Sequence, residues 1–537
     1  MDHVNYILVL LIGLLFAVAA VAGLARRLAL SYPIVLVIFG LLCSLIPHVP
    51  RIPLPPSIVF LVFLPPLLYL AAWQTSWREF RYNLVSITSL AVFLVFFTAV
   101  GVAFLAKWWL PGFDWRLGFL LGAVVSPTDA VAATSIARKV GMPQRIVDIL
   151  EGESLLNDAT GLLALQFGVQ MVVDGTTPTL GRGVLEFLWL TVGGVLVGLA
   201  IGFFVSWLEK WVDDGPVEIA LSLVVPYATY LAGEAVKASG VIAVVACGLL
   251  MSRRSSSFFS PRVRLQANAV WDALEFLLNG FVFALIGLQL PYVLAGIKGM
   301  SRTGLLGYGA AFCGVLVLLR MAWMFPASYA AWWVRTRIGH QQYARPEANQ
   351  VFVVGWTGMR GVVALAAASS LPLTLNDGTA FPERNVILFL TFCLILVTVV
   401  AQGLSLPWVI RLLRLPAQDT GYCEEGRARH LMLQAAIDFL GERKNSAKGH
   451  DEIHLYEDLL HQYEHKINSV DLCGPDGSAS SSSGNYERDS MTMEQLLLDT
   501  VRRQREELNL LRESGRIGDA VHRNLERELD LSESRLA

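Results

Sequence analysis

From residue 5 to residue 411 the chain is a succession of apolar stretches, most of them near the length at which an α-helix crosses a bilayer. A spanning helix needs about 20 apolar residues. Inside lipid every backbone N–H and C=O must find its partner within the protein, and a helix satisfies its own. Thirteen stretches fit that template, at 5–25, 28–47, 56–75, 84–108, 116–137, 147–173, 184–208, 216–236, 239–252, 272–296, 304–334, 350–373 and 385–411. The expected fold is an all-α polytopic membrane protein.

Composition agrees. Of 537 residues, 54% are hydrophobic and 16% charged, and mean hydropathy is +0.53, outside the profile of a soluble globular domain. A formal net charge of −2, with no polybasic stripe interleaved with aromatics, argues against a nucleic-acid partner. The six cysteines include no close pair and read as small apolar packing residues, not as a disulfide framework or a metal site. The first apolar run has no basic segment ahead of it and no small-residue cleavage motif before Arg26 and Arg27, so it reads as a retained helix and not a signal peptide.

Orientation follows from the basic residues in the connecting loops. With the N-terminus outside, the odd loops hold fifteen Lys and Arg against eight in the even loops, which places the C-terminus in the cytoplasm of a cell (inner) membrane protein. Thirteen spans also divide into two groups of six around a seventh, so the second six enter upside down, as in transporters built from inverted repeats. The fifth and twelfth stretches both carry polar or Gly interruptions in mid-span, GAVVSPTDAVA and GWTGMRGVVALAA. Such paired interruptions point to a midplane binding site. Residues 1–415 are thus expected to form a transmembrane domain and 416–537 a cytosolic helical tail. Within the tail a Gly/Ser linker near 473–485 precedes an amphipathic segment, EQLLLDTVRRQREELNLLRES.

Residues 122–168 place Asp129, Glu153 and Asp158 inside otherwise apolar spans. Insertion scales put a charged side chain at the bilayer centre at roughly 2.5–3.5 kcal/mol, so three acids call for partners or a task. Pro127 lacks a backbone donor and interrupts the helix around it, freeing carbonyls beside Thr128 and Asp129. Ser154 and Asp158 are four residues apart and share a helix face, with Asn157 adjacent. Carboxylate, hydroxyl and carbonyl oxygens suit a hard monovalent cation, Na⁺ or K⁺, held by Asp158, Ser154 and Thr128. A lone carboxylate in a partly desolvated cavity can hold a proton or a metal cation near neutral pH. If Asp158 must carry one or the other before crossing, the two are exchanged without ATP. No GxxxxGK[ST] loop occurs, and no cofactor is expected.

Two cations also fall in mid-span. Arg320 sits within AAFCGVLVLLRMAWMF and Arg360 within WTGMRGVVALAA, and each needs a carboxylate or carbonyls beside it. Glu153 is the expected partner of Arg320, and Arg360 is expected to support the core. Glu234 and Asn279 are further polar residues in apolar context, the former near an interface and the latter suited to bonding a neighbouring helix.

The segments SPTDAVAA, EGESLLNDATGLL, FLLNGFVFALIGLQL and GWTGMRGVVALAAA resemble the monovalent cation:proton antiporter-1 family, the bacterial and archaeal Na⁺/H⁺ antiporters that include the mammalian sodium/proton exchangers. The resemblance covers about residues 10–415. It implies a thirteen-helix inverted-repeat fold with broken crossing helices, a homodimer, and a core that moves against a dimerisation domain. It makes Asp158 the ion- and proton-carrying carboxylate, gives Thr128, Asp129, Ser154 and Asn157 places in or near the site, and supports the Glu153–Arg320 contact. Asn157 ahead of Asp158, in place of a second Asp, is what electroneutral members carry. One departure stands out: relatives with LPPLLFEA carry an acid where this chain, LPPLLYLAAW, has Leu70.

The reading is a secondary Na⁺/H⁺ antiporter, with Li⁺ or K⁺ as further candidate ions and K⁺/H⁺ exchange as the alternative. An intramembrane aspartyl protease is a remote option, since Asp129 and Asp158 lack the Y-D and G-x-G-D contexts such enzymes use. An ion channel is disfavoured by an alternating-access architecture.

Overall fold

A run of apolar residues in lipid has one inexpensive way to satisfy its backbone, and in the computed structural model the chain takes it throughout. The structure describes residues 3–27, 30–46, 55–140, 142–175, 179–212, 214–258, 261–295, 297, 302–338, 345–414, 420–446, 450–468, 529 and 531. Among these there is no strand, only an isolated bridge between Thr374 and Ala380. Two compact units are present, residues 1–417 and 418–537.

The first unit runs α1 (His3–Arg27), α2 (Tyr32–Ser44), α3 (Pro56–Gln74), α4 (Trp77–Trp109), α5 (Trp115–Val125), α6 (Ala130–Lys139) and α7 (Gln144–Val173). It continues through α8 (Leu180–Leu208), α9 (Gly215–Ala235), α10 (Gly240–Phe258), α11 (Pro261–Leu288), α12 (Leu290–Ala295) and α13 (Arg302–Trp333), then α14 (Ala348–Trp356), α15 (Val362–Ser369) and α16 (Arg384–Leu412). Seven helices among the described residues are long and apolar enough to cross a membrane. Counting the pair α5 and α6, bent by 41°, as one span makes eight.

Local chemistry sets several boundaries. Asp114 caps α5 by accepting from the Leu117 N–H at 2.8 Å, and Ser76 opens α4 with Glu79 three residues on, a capping-box pattern. In α3, Pro65 and Pro66 follow a wide π-type turn at Val59–Phe63. Pro66 cannot donate to the Val62 carbonyl four residues back, and the Tyr227 hydroxyl of α9 donates there at 3.2 Å. Helix α11 starts at Pro261, eleven residues before the apolar stretch expected from 272. Hydropathy registers the apolar part of such a helix and not its polar extension. The stretch expected at 350–373 is divided into α14 and α15.

Close packing rests on small residues, as in membrane helix pairs generally. Where α2 crosses α11, Gly40 and Gly287 face each other, and a Cβ on Gly40 would lie 3.1 Å from the Gly287 Cα. The largest buried apolar cluster surrounds α6, α14 and α15 and includes Ile136, Phe283, Met359 and Ile395. By contrast α8 presents Leu185, Trp189, Leu196, Phe204 and Trp207 on its surface, an apolar face suited to lipid or another chain. Cys43, Cys247, Cys313 and Cys393 are unbridged.

The second unit contains α17 (Thr420–Ser446) and α18 (His450–Asn468). Lys444 bonds Glu457 at 2.9 Å across them, and this holds the Glu457 carboxyl below its usual range. The linker near 473–485 and the amphipathic segment at 494–514 lie outside the described residues.

Candidate cation and proton site

Two helix breaks cross in the interior of the first unit. Pro127 ends α5, leaving residues 126–129 non-helical, and α14 stops before 357–361. At each break one half-helix ends in free carbonyls and the next begins with free N–H groups, so the crossing gathers two negative and two positive dipole ends. The Asp129 N–H donates to the Met359 carbonyl at 2.8 Å and ties the breaks together.

Each pole carries an opposite charge. Arg360 donates through Nε to the Val125 carbonyl at the end of α5, 3.0 Å away, and through Nη1 to Gly358, just past the end of α14. Its N–H donates to Thr398 Oγ1 at 3.1 Å. Asp129 caps α6, its Oδ1 accepting from the Val131 N–H at 2.8 Å, and lies against Gly361, which precedes α15. A Cβ on Gly361 would sit 2.6 Å from the Asp129 Cβ, so the missing side chain makes room for the carboxylate. Of the partners open to Arg360, carbonyls are the ones it uses.

Unbroken α7 runs beside the crossing and supplies most of its side-chain ties. Ser154 Oγ accepts from the Ala130 N–H at 3.3 Å, and Asn157 Nδ2 donates to the Thr128 carbonyl and hydroxyl at 3.3 and 2.6 Å. The Thr128 hydroxyl in turn donates to Glu153 Oε1 at 2.9 Å. Glu153 takes a bidentate contact from Arg320, 2.6 Å to Nη1 and 2.9 Å to Nη2, with both residues buried. Arg320 also donates to Gly355 and Val354 carbonyls, and a Cβ at Gly358 would collide with its guanidinium.

Asp158 differs from its neighbours. It is 6% exposed, and among the described residues it has no hydrogen-bond donor and no ion-pair partner. Its carboxylate lines a cavity of about 430 Å³ together with Thr128, Asp129 and Ser154. The same cavity passes Asn279 and Tyr32 and reaches Glu151, Asp272 and Glu275 near the face where α7 and α11 begin. Asn157 is outside the lining, its amide turned onto the break. Leu70 is outside it too, buried in an apolar cluster with Tyr69, Leu155 and Trp271.

Sequence reasoning did not single out Glu151, Asp272 or Glu275. The signal was present, since Asp272, Glu275 and Asn279 recur at i, i+3 and i+7, as do Glu151, Ser154 and Asp158, so each set shares a helix face. The cavity thus offers carboxylate and hydroxyl oxygens to a small hard cation, with a route to one face.

An all-helical membrane protein with a lone carboxylate beside crossed, broken helices belongs to the class of ion-coupled transporters. Comparison with known proteins gives the family. A sequence profile described as "Sodium/hydrogen exchanger, transmembrane" matches residues 13–412. A protein of Mycobacterium tuberculosis named as an uncharacterised Na⁺/H⁺ exchanger is 34% identical, the match covering 100% of this chain and 97% of the relative. A sodium, potassium, lithium and rubidium/H⁺ antiporter of Bacillus subtilis is 31% identical, over 74% of this chain and 61% of its own length. The solved sodium proton antiporter MjNhaP1 from Methanocaldococcus jannaschii aligns with a TM-score of 0.57 at 18% identity, over 76% of this chain and 99% of that one, and so shares its fold. The chain belongs to the sodium/hydrogen exchanger family. It is a multi-pass transporter and not a membrane protease.

Proposed function

We propose that the protein is a secondary Na⁺/H⁺ antiporter in which Na⁺ and H⁺ compete for Asp158 and are exchanged one for one by alternating access. The observation that carries this reading is the Asp158 carboxylate, which lies open to a cavity and, among the described residues, without a donor or counter-charge. Asp129 and Ser154 stand beside it as further oxygen ligands, and Thr128 and Asn157 hold the broken segment against α7. Glu153 and Arg320 form the structural pair that fixes α7 to α13 and α14, and Arg360 holds the crossing.

Asn157 ahead of Asp158 supports electroneutral exchange through the family resemblance, since a neutral amide stands where a second adjacent acid would add a charge. Basic residues in the loops support an outside N-terminus and a cytoplasmic 416–537 tail. The Asp158 cavity then faces the cytoplasm, and termini on opposite sides require an odd number of spans, which the thirteen-span arrangement of two inverted repeats meets. Pairing of two copies is carried over from the family resemblance, and the apolar face of α8 is open to a second copy as it is to lipid.

The test replaces Asp158 by Asn and measures Na⁺-induced collapse of a proton gradient in everted vesicles. Loss of exchange with folded protein present is expected, and retained exchange refutes the assignment. K⁺/H⁺ exchange is the second reading, favoured by the breadth of ions in the name of the Bacillus subtilis relative. Parallel Na⁺, Li⁺ and K⁺ titrations in proteoliposomes separate the two.

A further inference from the structure

A second cavity, of about 530 Å³, lies further along α7. Thr160, Leu163 and Gln166 of α7 line it, with Glu186 of α8, Glu234 at the end of α9, and Lys237 and Ser239 in the turn before α10. The polar residues cluster where α7 and α9 end and α8 and α10 begin, the face opposite the one that the Asp158 cavity reaches. Glu234 is held at that turn, its Oε1 accepting from the Gly240 N–H at 3.4 Å.

The two cavities follow one another along a single helix. Glu151, Ser154, Leu155 and Asp158 line the first, and Leu156, Ala159, Leu163 and Gln166 line the second, so that the two adjoin on different faces of α7 around residues 155–159. What separates them is one buried apolar cluster. Leu64, Leu68 and Leu155 border the first cavity, Ala159, Val241 and Ile242 border the second, and all six belong to that cluster. Leu70 belongs to the same cluster and borders neither cavity.

We propose that the second cavity is the other half of the ion path. The cation passes between Asp158 and the far face along the Ala159–Leu163–Gln166 stripe when the apolar layer of Leu68, Leu155, Val241 and Ile242 parts. Gln166, Glu186 and Glu234 supply the oxygens of its mouth, and Glu186 with Glu234 concentrates cations there. Lys237, at the rim, favours monovalent over divalent cations by like-charge repulsion. This inference rests on the exchange reading.

Its test is one of sidedness. In oriented proteoliposomes the Glu186→Gln, Glu234→Gln double variant is assayed with Na⁺ presented at one face at a time. The expected result is a rise in KM for Na⁺ of about threefold to tenfold at the far face and no change at the face that the Asp158 cavity reaches. An equal change at both faces, or none at either, overturns the proposal. As a second measure, Gln166→Cys and Glu151→Cys are treated with a membrane-impermeant cationic thiol reagent. Gln166→Cys should react only from the far face, with loss of exchange, and Glu151→Cys only from the near face. Failure of Gln166→Cys to react from the far face, or full exchange after it has reacted, refutes the path. The same labelling of Gln166→Cys in an Asp158→Asn chain keeps the two readings apart. Normal labelling there beside retained exchange removes the carrier role of Asp158, whereas absent labelling removes the second cavity from the path.

Discussion

Arg320 and Glu153 form a buried ion pair whose removal is asymmetric. Truncating one partner leaves the other charge buried and uncompensated, which costs roughly 3–5 kcal/mol. Arg320→Ala should therefore lower the yield of folded protein, and Glu153→Gln in that background should partly restore it, as read by size-exclusion of detergent extracts. A double variant no better than the single would show that the pair does not set stability. Gly361 makes a second residue-level test. A methyl there would crowd the Asp129 carboxylate at the pole it occupies, so Gly361→Ala should lower the exchange rate about tenfold or more while Ser369→Ala, at the far end of α15, leaves it unchanged. These two residues also mark the limit of what sequence reading achieves. Arg320 announced its need for a partner because a guanidinium in mid-span is costly, and Glu153 was the mid-span acid that points away from the Ser154–Asp158 face. Gly361 announced nothing, since its purpose lies in a contact with a residue more than two hundred positions away.

At the scale of elements, helix α16 answers the break in the α14–α15 segment. Its wide turn at Val397–Gln402 places Thr398 Oγ1 at 3.1 Å from the Arg360 N–H, which the break has left without a helical acceptor. Thr398→Val keeps the shape and removes the acceptor. A buried N–H without a partner costs about 1–3 kcal/mol, and thermal unfolding in detergent should show a lower midpoint for this variant. Element existence was readable because apolar runs in lipid have so few solutions, and Pro127 and the Gly-rich GWTGMRG segment made the breaks readable as well. The acids of α11 were not, although Asp272 and Glu275 fall inside the stretch expected at 272–296, because at its first turn an acid reads as lying at the membrane surface and not on a cavity. Likewise Asn157 read as a neighbour of the ion, yet its amide is taken up by Thr128, a bond that depends on how α7 meets the break.

For the whole molecule, the division at residue 417 makes a direct prediction. A chain ending at Ala417 contains both cavities and the crossing, so it should retain Na⁺/H⁺ exchange when reconstituted, and loss of exchange with folded protein would assign the second unit a part in transport. A further expectation concerns pH. If protons and Na⁺ contend for one carboxylate, then once the proton holds the site each unit of acidification should raise the apparent KM for Na⁺ about tenfold, and maximal rate at saturating Na⁺ should change less. The arrangement of charges in the core gives this competition its strictness. Arg360 lies on carbonyl ends, Asp129 on amide ends, and Glu153 is cancelled by Arg320, so every interior charge near the crossing is balanced by the protein except that of Asp158. On the proposed reading, with a proton or one Na⁺ on Asp158 this core is neutral; empty, it would carry a single negative charge across a low-dielectric slab unaccompanied. The dipole ends of the broken helices thus act as built-in counter-ions, and on that reading the one charge they leave unmatched would make the empty crossing, the slip that would dissipate a gradient, the least accessible step of the cycle.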